Sequence, residues 1–422
     1  MSTALVLCGG GMRGAYEAGA VYALKELNVE YDLITGVSIG ALNGVLLIQD
    51  GCDKLVELWS NMDQSLVLKD ELPSMDNFEN FIGDADKIIP LLKGYVEKSG
   101  ANIEPFKKFL KNNYSHEKFN SSNIDFAMIA LEVPSRKPLV IKKSDMNKDN
   151  AVDLLLATSA CFPAFPTLKY ENKTYIDGGY YDNLPIELAF NMGATKIIAI
   201  DLTPSPTHSE FMNRDNIIYI KPKESLGLMF DFGKGDMTRK MKLGYLDTMK
   251  AFGKYQGFTY TFSNQANYKF PGKYYNQLLR QDHRCKKLWK ITDEFLVYNK
   301  LCKINEVEKM NSDEINIAIL EVLMKQRELK TDKLYDILSE VRMIIDFFSD
   351  VYNEEYDLMP GNPKEIIDSL KKISRIELIK KILHQEIFPK KKIIPSNIVE
   401  KMFSVEYACA KWIIGMKKEI SK

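Results

Sequence analysis

The chain has 422 residues, 45% of them hydrophobic and 27% charged, and its 57 Lys plus Arg are matched by 57 Asp plus Glu. That length suggests two or three domains, and that composition excludes a disordered or fibrous chain. Charge balance provides no overall positive field, so no nucleic-acid partner is expected.

In chain order, the run Ala4-Leu5-Val6-Leu7-Cys8 reads as a central parallel strand. It ends in Gly9-Gly10-Gly11-Met12-Arg13-Gly14, after which a helix is expected from Ala15 to Leu27. Glycines at a strand-to-helix junction let main-chain N–H groups converge on one point, where the helix dipole adds attraction for negative charge. Such a nest suits a dinucleotide site, because Gly9-x-Gly11-x-x-Gly14 fits that pattern, or an oxyanion hole for acyl transfer. The dinucleotide fold requires an acidic residue at the end of the second strand. Here that strand, Tyr31 to Thr35, leads to Ser38, and Asp32 lies at its start. A dinucleotide site is therefore disfavoured.

The segment Gly36-Val37-Ser38-Ile39-Gly40 is a Gly-x-Ser-x-Gly motif between a strand and a helix expected over Ala41 to Ile48. A turn this sharp strains the backbone of its central residue and holds the serine hydroxyl out beside the positive end of a helix. Residues 50–123 then loosen into short helices, at Leu55 to Trp59 and Asn102 to Asn112, around Pro73, Pro90 and scattered apolar residues. Two readings stand: an ordinary helical insertion, or a mobile apolar cap of the kind an enzyme acting on lipid would need.

Strands follow at Phe126 to Leu131 and Leu139 to Ile141, then a helix from Ala151 to Ala157 and a rigid turn, Thr158 to Pro166. Ser159 lacks flanking elbow glycines and reads as a cap or turn residue. The next strand ends in Asp177-Gly178-Gly179, which sets a carboxylate at the sheet edge. Asp182 and Asn183 read as caps of the helix that Pro185 opens. Lys196 to Asp201 and Ile217 to Ile220 are two further strands. The four histidines, His116, His208, His283 and His384, all lie outside glycine-rich strand ends. A serine and an aspartate are thus present without an evident third member of a triad.

Taken in order and spacing, the Gly9–Gly14 turn, the Ser38 motif, the Ala157-to-Pro166 turn and Asp177-Gly178-Gly179 closely resemble the patatin-like phospholipases over residues 3 to 255. That resemblance implies a three-layer α/β/α fold on a mostly parallel sheet, spanning residues 1–255; the region at 256–422 lies beyond the family core and is expected to be mainly helical. It also implies a Ser–Asp dyad cleaving acyl esters of phospholipid or lysophospholipid, with Ser38 as nucleophile and Asp177 as base. Gly10, Gly11, Met12 and Arg13 would form or flank the oxyanion hole, and Gly9, Gly14, Gly36, Gly40, Gly178 and Gly179 are the motif glycines. The alternatives are an acyltransferase using the same acyl-enzyme, and a membrane-associated scaffold without turnover.

Residues Lys254 to Phe270 suggest an extended excursion or hairpin. Beyond it, Leu334, Ile337, Leu338, Val341, Ile344, Ile345 and Phe348 recur at helical spacing, as do Ile366, Leu370, Ile373, Ile376, Ile379, Ile382 and Leu383, and a last helix is expected over Asn397 to Ile420. These faces either pack together as a bundle or meet a peripheral membrane surface, beside Lys371, Lys372, Lys380, Lys381 and Lys390 to Lys392. Cys8, Cys52, Cys161, Cys285, Cys302 and Cys409 have no metal-ligand spacing and suit a reducing compartment. No metal or cofactor is called for, and no stretch reaches the ~18 uncharged residues of a spanning helix. With the first strand beginning near Thr3, no cleavable leader is expected. The expected setting is cytoplasmic.

Overall fold

A computed structural model of the chain describes residues 2–69, 101–162, 164–263, 270, 273–289, 296–353, 363–391 and 396–421. Residues 70–100, where most of the suggested cap falls, lie outside the described residues. The chain divides into two compact units, residues 1–253 and 254–422, each with its own hydrophobic core.

The first unit is built on β1 (Thr3–Leu7), β2 (Leu33–Gly36), β3 (Asp125–Val133), β4 (Pro138–Lys142), β5 (Leu168–Tyr170), β6 (Lys173–Asp177), β7 (Lys196–Ile200) and β8 (Ile217–Ile220). The sheet order is β5-β6-β3-β2-β1-β7-β8, with β4 also paired to β3. The four pairs β3–β2, β2–β1, β1–β7 and β7–β8 are parallel, whereas β4, β5 and β6 join antiparallel. Central strands explain their own composition: Ala4 to Leu7 are fully buried, so each position must be apolar.

Around the sheet lie α1 (Ala15–Glu26), α2 (Ile39–Ser60), α3 (Glu104–Asn113), α4 (His116–Ser121), α5 (Ala151–Thr158), α6 (Ile186–Asn191) and α7 (Lys234–Ala251). The two helices expected at Ala41–Ile48 and Leu55–Trp59 both fall within Ile39–Ser60, on either side of a kink at Gly51, whose φ of 80° is non-helical. Asp32, at the far end of β2 from Ser38, accepts from the Thr3 amide at 2.9 Å and has a structural role there.

Helices α1 and α7 cross with their backbones in contact. A Cβ on Gly19 would fall 1.8 Å from the Met241 carbonyl oxygen, and one on Gly244 would fall 1.9 Å from that of Tyr16. Neither backbone can yield locally, so Gly19→Ala and Gly244→Ala are each expected to cost about 3 kcal/mol or more. Thermal unfolding checks this against Gly253→Ala, which meets nothing within 4 Å but sits at φ 69° and should cost only the ~1 kcal/mol of that strain. Equal midpoints for all three variants would refute the close crossing.

The second unit starts with a small sheet, β9 (Tyr255–Gln256), β10 (Thr261–Ser263) and β11 (Leu334–Tyr335), in the order β11-β10-β9. The expected hairpin is present, and Leu334 belongs to β11 rather than to the following helix. Its side chain is 46% exposed, so its match to the helical period was a coincidence of spacing. Eight described helices follow: α8 (Lys273–Trp289), α9 (Val297–Asn305), α10 (Ser312–Gln326), α11 (Ile337–Phe347), α12 (Pro363–Leu370), α13 (Arg375–Ile387), α14 (Ser396–Met402) and α15 (Ser404–Ile420). The apolar period from Ile366 to Leu383 is split by Ser374, which caps α13 by accepting from the Glu377 amide. Likewise the expected last helix breaks at Phe403. Ile366, Leu370, Ile379, Ile382 and Leu383 are buried in the second core, so this face serves as bundle packing. Lys371, Lys380 and Lys381 pair with Asp368, Asp350 and Glu377.

Candidate active site

Three glycine-bearing segments meet at the carboxyl ends of the parallel strands, where open α/β sheets place ligands. Ser38 follows β2 and begins α2 at φ 51° and ψ −125°. This is a disfavoured conformation for a residue with a side chain, costing of order 1–3 kcal/mol, and the surroundings impose it. The Gly40 amide returns to the Val37 carbonyl at 2.9 Å, and a Cβ on Gly40 would lie 2.5 Å from the Leu7 carbonyl oxygen. The Ser38 amide donates to Thr158 Oγ1 at 3.1 Å, and the Thr158 hydroxyl donates to the Ile129 carbonyl at 2.6 Å. Buried Thr158 therefore ties the elbow to β3.

Sheet register brings Asp177 to the same level. Gly36 pairs with Met128, and Asp177 pairs with Ala130, two residues further along β3. Ser38 is likewise two residues beyond Gly36. The Asp177 amide donates to the Ala160 carbonyl at 2.9 Å, and its Oδ1 accepts from the Gly179 amide at 2.8 Å. Burial raises the Asp177 carboxyl to about 6, against the lowering effects of the Ser38 side chain and the Gly179 amide. Burial wins. Gly178 has no room for a side chain, because its Cβ would lie 2.0 Å from the Ile129 carbonyl oxygen.

The glycine-rich turn continues as a short 3-10 segment, Gly11–Gly14, into α1. Its four oxyanion-hole candidates are not equivalent. The Met12 amide donates to the Met229 carbonyl at 2.8 Å, and the Arg13 amide donates to Gly10 at 3.2 Å. The Arg13 side chain donates through Nε to the Gly227 carbonyl at 2.9 Å. The Gly10 and Gly11 amides have no acceptor among the described residues.

Asn183 is the larger correction. Neither it nor Asp182 caps the next helix, whose first flanking residue is Pro185 without a side-chain cap. Instead the Asn183 side chain donates to the Gly9 carbonyl at 3.0 Å, while the Gly9 amide donates to the Asn183 carbonyl at 3.0 Å. Asn183 pins the start of the turn. Asp182 accepts from the Leu184 amide at 3.1 Å and pairs with His208 Nε2 at 2.9 Å. His116 meets Tyr114, and His384 is buried in the second unit.

A cavity of about 60 Å³ opens beside Ser38, lined by Leu42, Leu46, Trp59, Phe106, Phe165 and Phe230 among others. Sites for drug-sized ligands measure ~300–1,000 Å³, so this one is a small, mostly apolar space. Ser159, at the carboxyl end of α5, also lines it, and its buried hydroxyl has no hydrogen-bond partner among the described residues. Met229 and Phe230 form part of the wall, with the Phe230 and Phe165 rings 5.6 Å apart. Among the described residues, no group of three His, Cys, Asp or Glu is arranged to hold a metal. No described helix is long and apolar enough to cross a membrane.

The model of the patatin-like phospholipase family matches residues 5–190. Lysophospholipase NTE1 of Mycosarcoma maydis is 25% identical over 202 residues, covering 48% of this chain and 10% of that protein. Patatin-like phospholipase domain-containing protein 7 of Mus musculus is 28% identical over 199 residues, covering 47% of this chain and 13% of that protein. The chain thus spans little more than a tenth of the length of these curated relatives. The crystal structure of VipD from Legionella pneumophila aligns over 98% of this chain and 91% of that one, at a TM-score of 0.37 and 13% identity. With its strand-end serine, its Asp-Gly-Gly strand and its glycine-rich turn on one mostly parallel sheet, the segment from residue 5 to residue 190 is a domain of the patatin-like phospholipase family.

Proposed function

We propose that the first unit is a serine acyl hydrolase that cleaves ester-linked acyl chains from phospholipid or lysophospholipid through Ser38 and Asp177. The observation that carries this reading is a serine held at φ 51° beside a carboxylate that burial raises to about 6. Asp177 takes the Ser38 proton as the hydroxyl oxygen attacks the ester carbonyl. The Gly10 and Gly11 amides receive the developing oxyanion, joined by Met12 once its amide leaves Met229. The alcohol departs with the proton from Asp177, and the same carboxylate then activates the water that releases the fatty acid. The relatives' printed names, lysophospholipase and patatin-like phospholipase, support lipid as the substrate class.

The test is labelling of intact protein by a fluorophosphonate, with peptide mapping, alongside fatty-acid release from lysophosphatidylcholine. Labelling confined to Ser38 and lost in Ser38→Ala is the expected result. Label on another residue, with release unaffected in Ser38→Ala, would overturn the reading.

A pH profile gives a second expectation. Asp177 must be ionised to accept the proton, so kcat should rise with pH through about 6 and then level with respect to that group. The same shift has the opposite sign for stability. A carboxyl with its folded pKa above its unfolded value holds more protons in the folded state. Its contribution to stability falls as pH rises from 3.8 towards about 6. Asp177→Asn removes that loss, so above pH 6 its midpoint should exceed that of wild type, by ~2 kcal/mol in stability. An unchanged midpoint would contradict the buried carboxylate.

A further inference from the structure

Glu17 lies in the first turn of α1, fully buried, and accepts on both carboxylate oxygens. Its Oε1 accepts from the Cys8 amide at 2.8 Å, one residue before the glycine-rich turn. Its Oε2 accepts from Asn43 Nδ2 at 2.7 Å, one turn into the helix that Ser38 begins. The direction of each bond is fixed by chemistry. The Asn43 Oδ1 accepts from Trp59 Nε1 at 3.0 Å, and an indole nitrogen only donates; Asn43 Nδ2 also reaches the Gly14 carbonyl at 3.1 Å, which only accepts. Asn43 therefore cannot flip, and the Cys8 amide has only a proton to offer. Two donors converge on Glu17, and the ionised carboxylate is the form that accepts both most strongly.

We propose that Glu17, in its ionised form, is a positioning residue that locks the oxyanion turn after β1 to the nucleophile-bearing end of α2, a role that rests on Ser38 being the nucleophile. A glutamine amide in its place would point a donor at a donor, and a proton on either oxygen would leave that oxygen a much weaker acceptor, so each loosens one of the two ties. The Gly10 and Gly11 amides would then shift relative to the Ser38 hydroxyl, and a displacement of ~1 Å in such an arrangement costs about 10²-fold in rate. Burial raises Glu17 to about 8, against the lowering effects of Asn43 and the Cys8 amide and with Asp201 adding to the rise. The other titratable groups whose charge bears on it are Asp201 and the Cys8 thiol at the end of β1, which burial holds well above its ordinary value.

The experiment compares wild type, Glu17→Gln and Ser38→Ala in hydrolysis of p-nitrophenyl butyrate and in the rate of fluorophosphonate labelling from pH 5 to pH 10. Circular dichroism confirms folding. Expected for wild type are two rising limbs, one from Asp177 near 6 and one near 8. His208 is also raised above 6.5, chiefly by Asp182 once its own burial is overcome, so the assignment rests on the variant. Glu17→Gln should lower kcat about 10²-fold with KM nearly unchanged and lose the limb near 8 while keeping the lower one. A folded Glu17→Gln with the wild-type kcat and profile overturns the proposal, whereas a purely structural role would shift the melting curve alone. If Glu17→Gln does not fold, the wild-type profile decides, and a single limb near 6 overturns it. Turnover retained in Ser38→Ala removes the dyad and this proposal together; a silent Ser38→Ala with an unaffected Glu17→Gln removes only this one.

Discussion

Ser38→Ala should lower kcat/KM for lysophosphatidylcholine by at least about 10³-fold, and Asp177→Asn by a comparable factor, with both proteins folded. Removing a nucleophile leaves only the contributions of binding and the oxyanion hole. Removing a general base forfeits ~10²–10⁴-fold, and both histidines of the first unit are engaged elsewhere. His208 is engaged with Asp182 and Glu210, and His116 with Tyr114. Two readouts separate chemistry from folding. Ser38→Ala loses fluorophosphonate labelling outright, while Asp177→Asn keeps the hydroxyl and should label far more slowly. Asp177→Asn activity within tenfold of wild type would sink the dyad.

Gly40→Ala should be among the most damaging single methyls in the first unit's site. Its Cβ would fall 2.5 Å from the Leu7 carbonyl oxygen, 2.6 Å from the Leu7 carbonyl carbon and 2.8 Å from the Cys8 carbonyl oxygen. All three atoms belong to the backbone at the end of β1, the strand that carries the glycine-rich turn. Relief requires α2 to move off the sheet, taking Ser38 with it. We expect a loss of about 3 kcal/mol or more in stability, together with loss of Ser38 labelling in whatever remains folded. Gly51→Ala meets nothing within 4 Å, but its φ of 80° and ψ of −179° lie in a region kept almost wholly for glycine. It should cost on the order of 1–3 kcal/mol and label normally. Wild-type melting and labelling in Gly40→Ala would refute the close approach of α2 to β1.

The features legible in the sequence were those encoded within a few neighbours. Ser38 sits between two glycines, Asp177 before two more, and the oxyanion candidates form a glycine run, so local spacing pointed to each. The residues that hold them in place could not be read that way. Thr158 supports Ser38 from 120 positions away, and Asn183 reaches back 174 positions to Gly9. Locally, each looked like a turn or cap residue. Glu17 occupied a helix-start position where acidic residues are common for reasons of dipole alone. Periodicity also overran real boundaries. It carried the Leu334 helix into a strand and joined α12 to α13, because apolar spacing persists across a one-turn break such as the one Ser374 caps.

The hydrogen bond from the Met12 amide to the Met229 carbonyl, at 2.8 Å, has a consequence for discrimination between ground state and transition state. A donor already satisfied by a neutral peptide carbonyl gains little by exchanging it for the neutral carbonyl of an ester, since one bond replaces an equal one. The exchange becomes favourable only when the incoming oxygen carries charge, because charge-assisted hydrogen bonds are roughly twice as strong. In the proposed reaction, Met229 thus acts as a resident competitor that screens out substrate binding and yields to the tetrahedral intermediate. The Met12 amide would then contribute to kcat and leave KM almost untouched, binding energy withheld until the moment it accelerates the reaction.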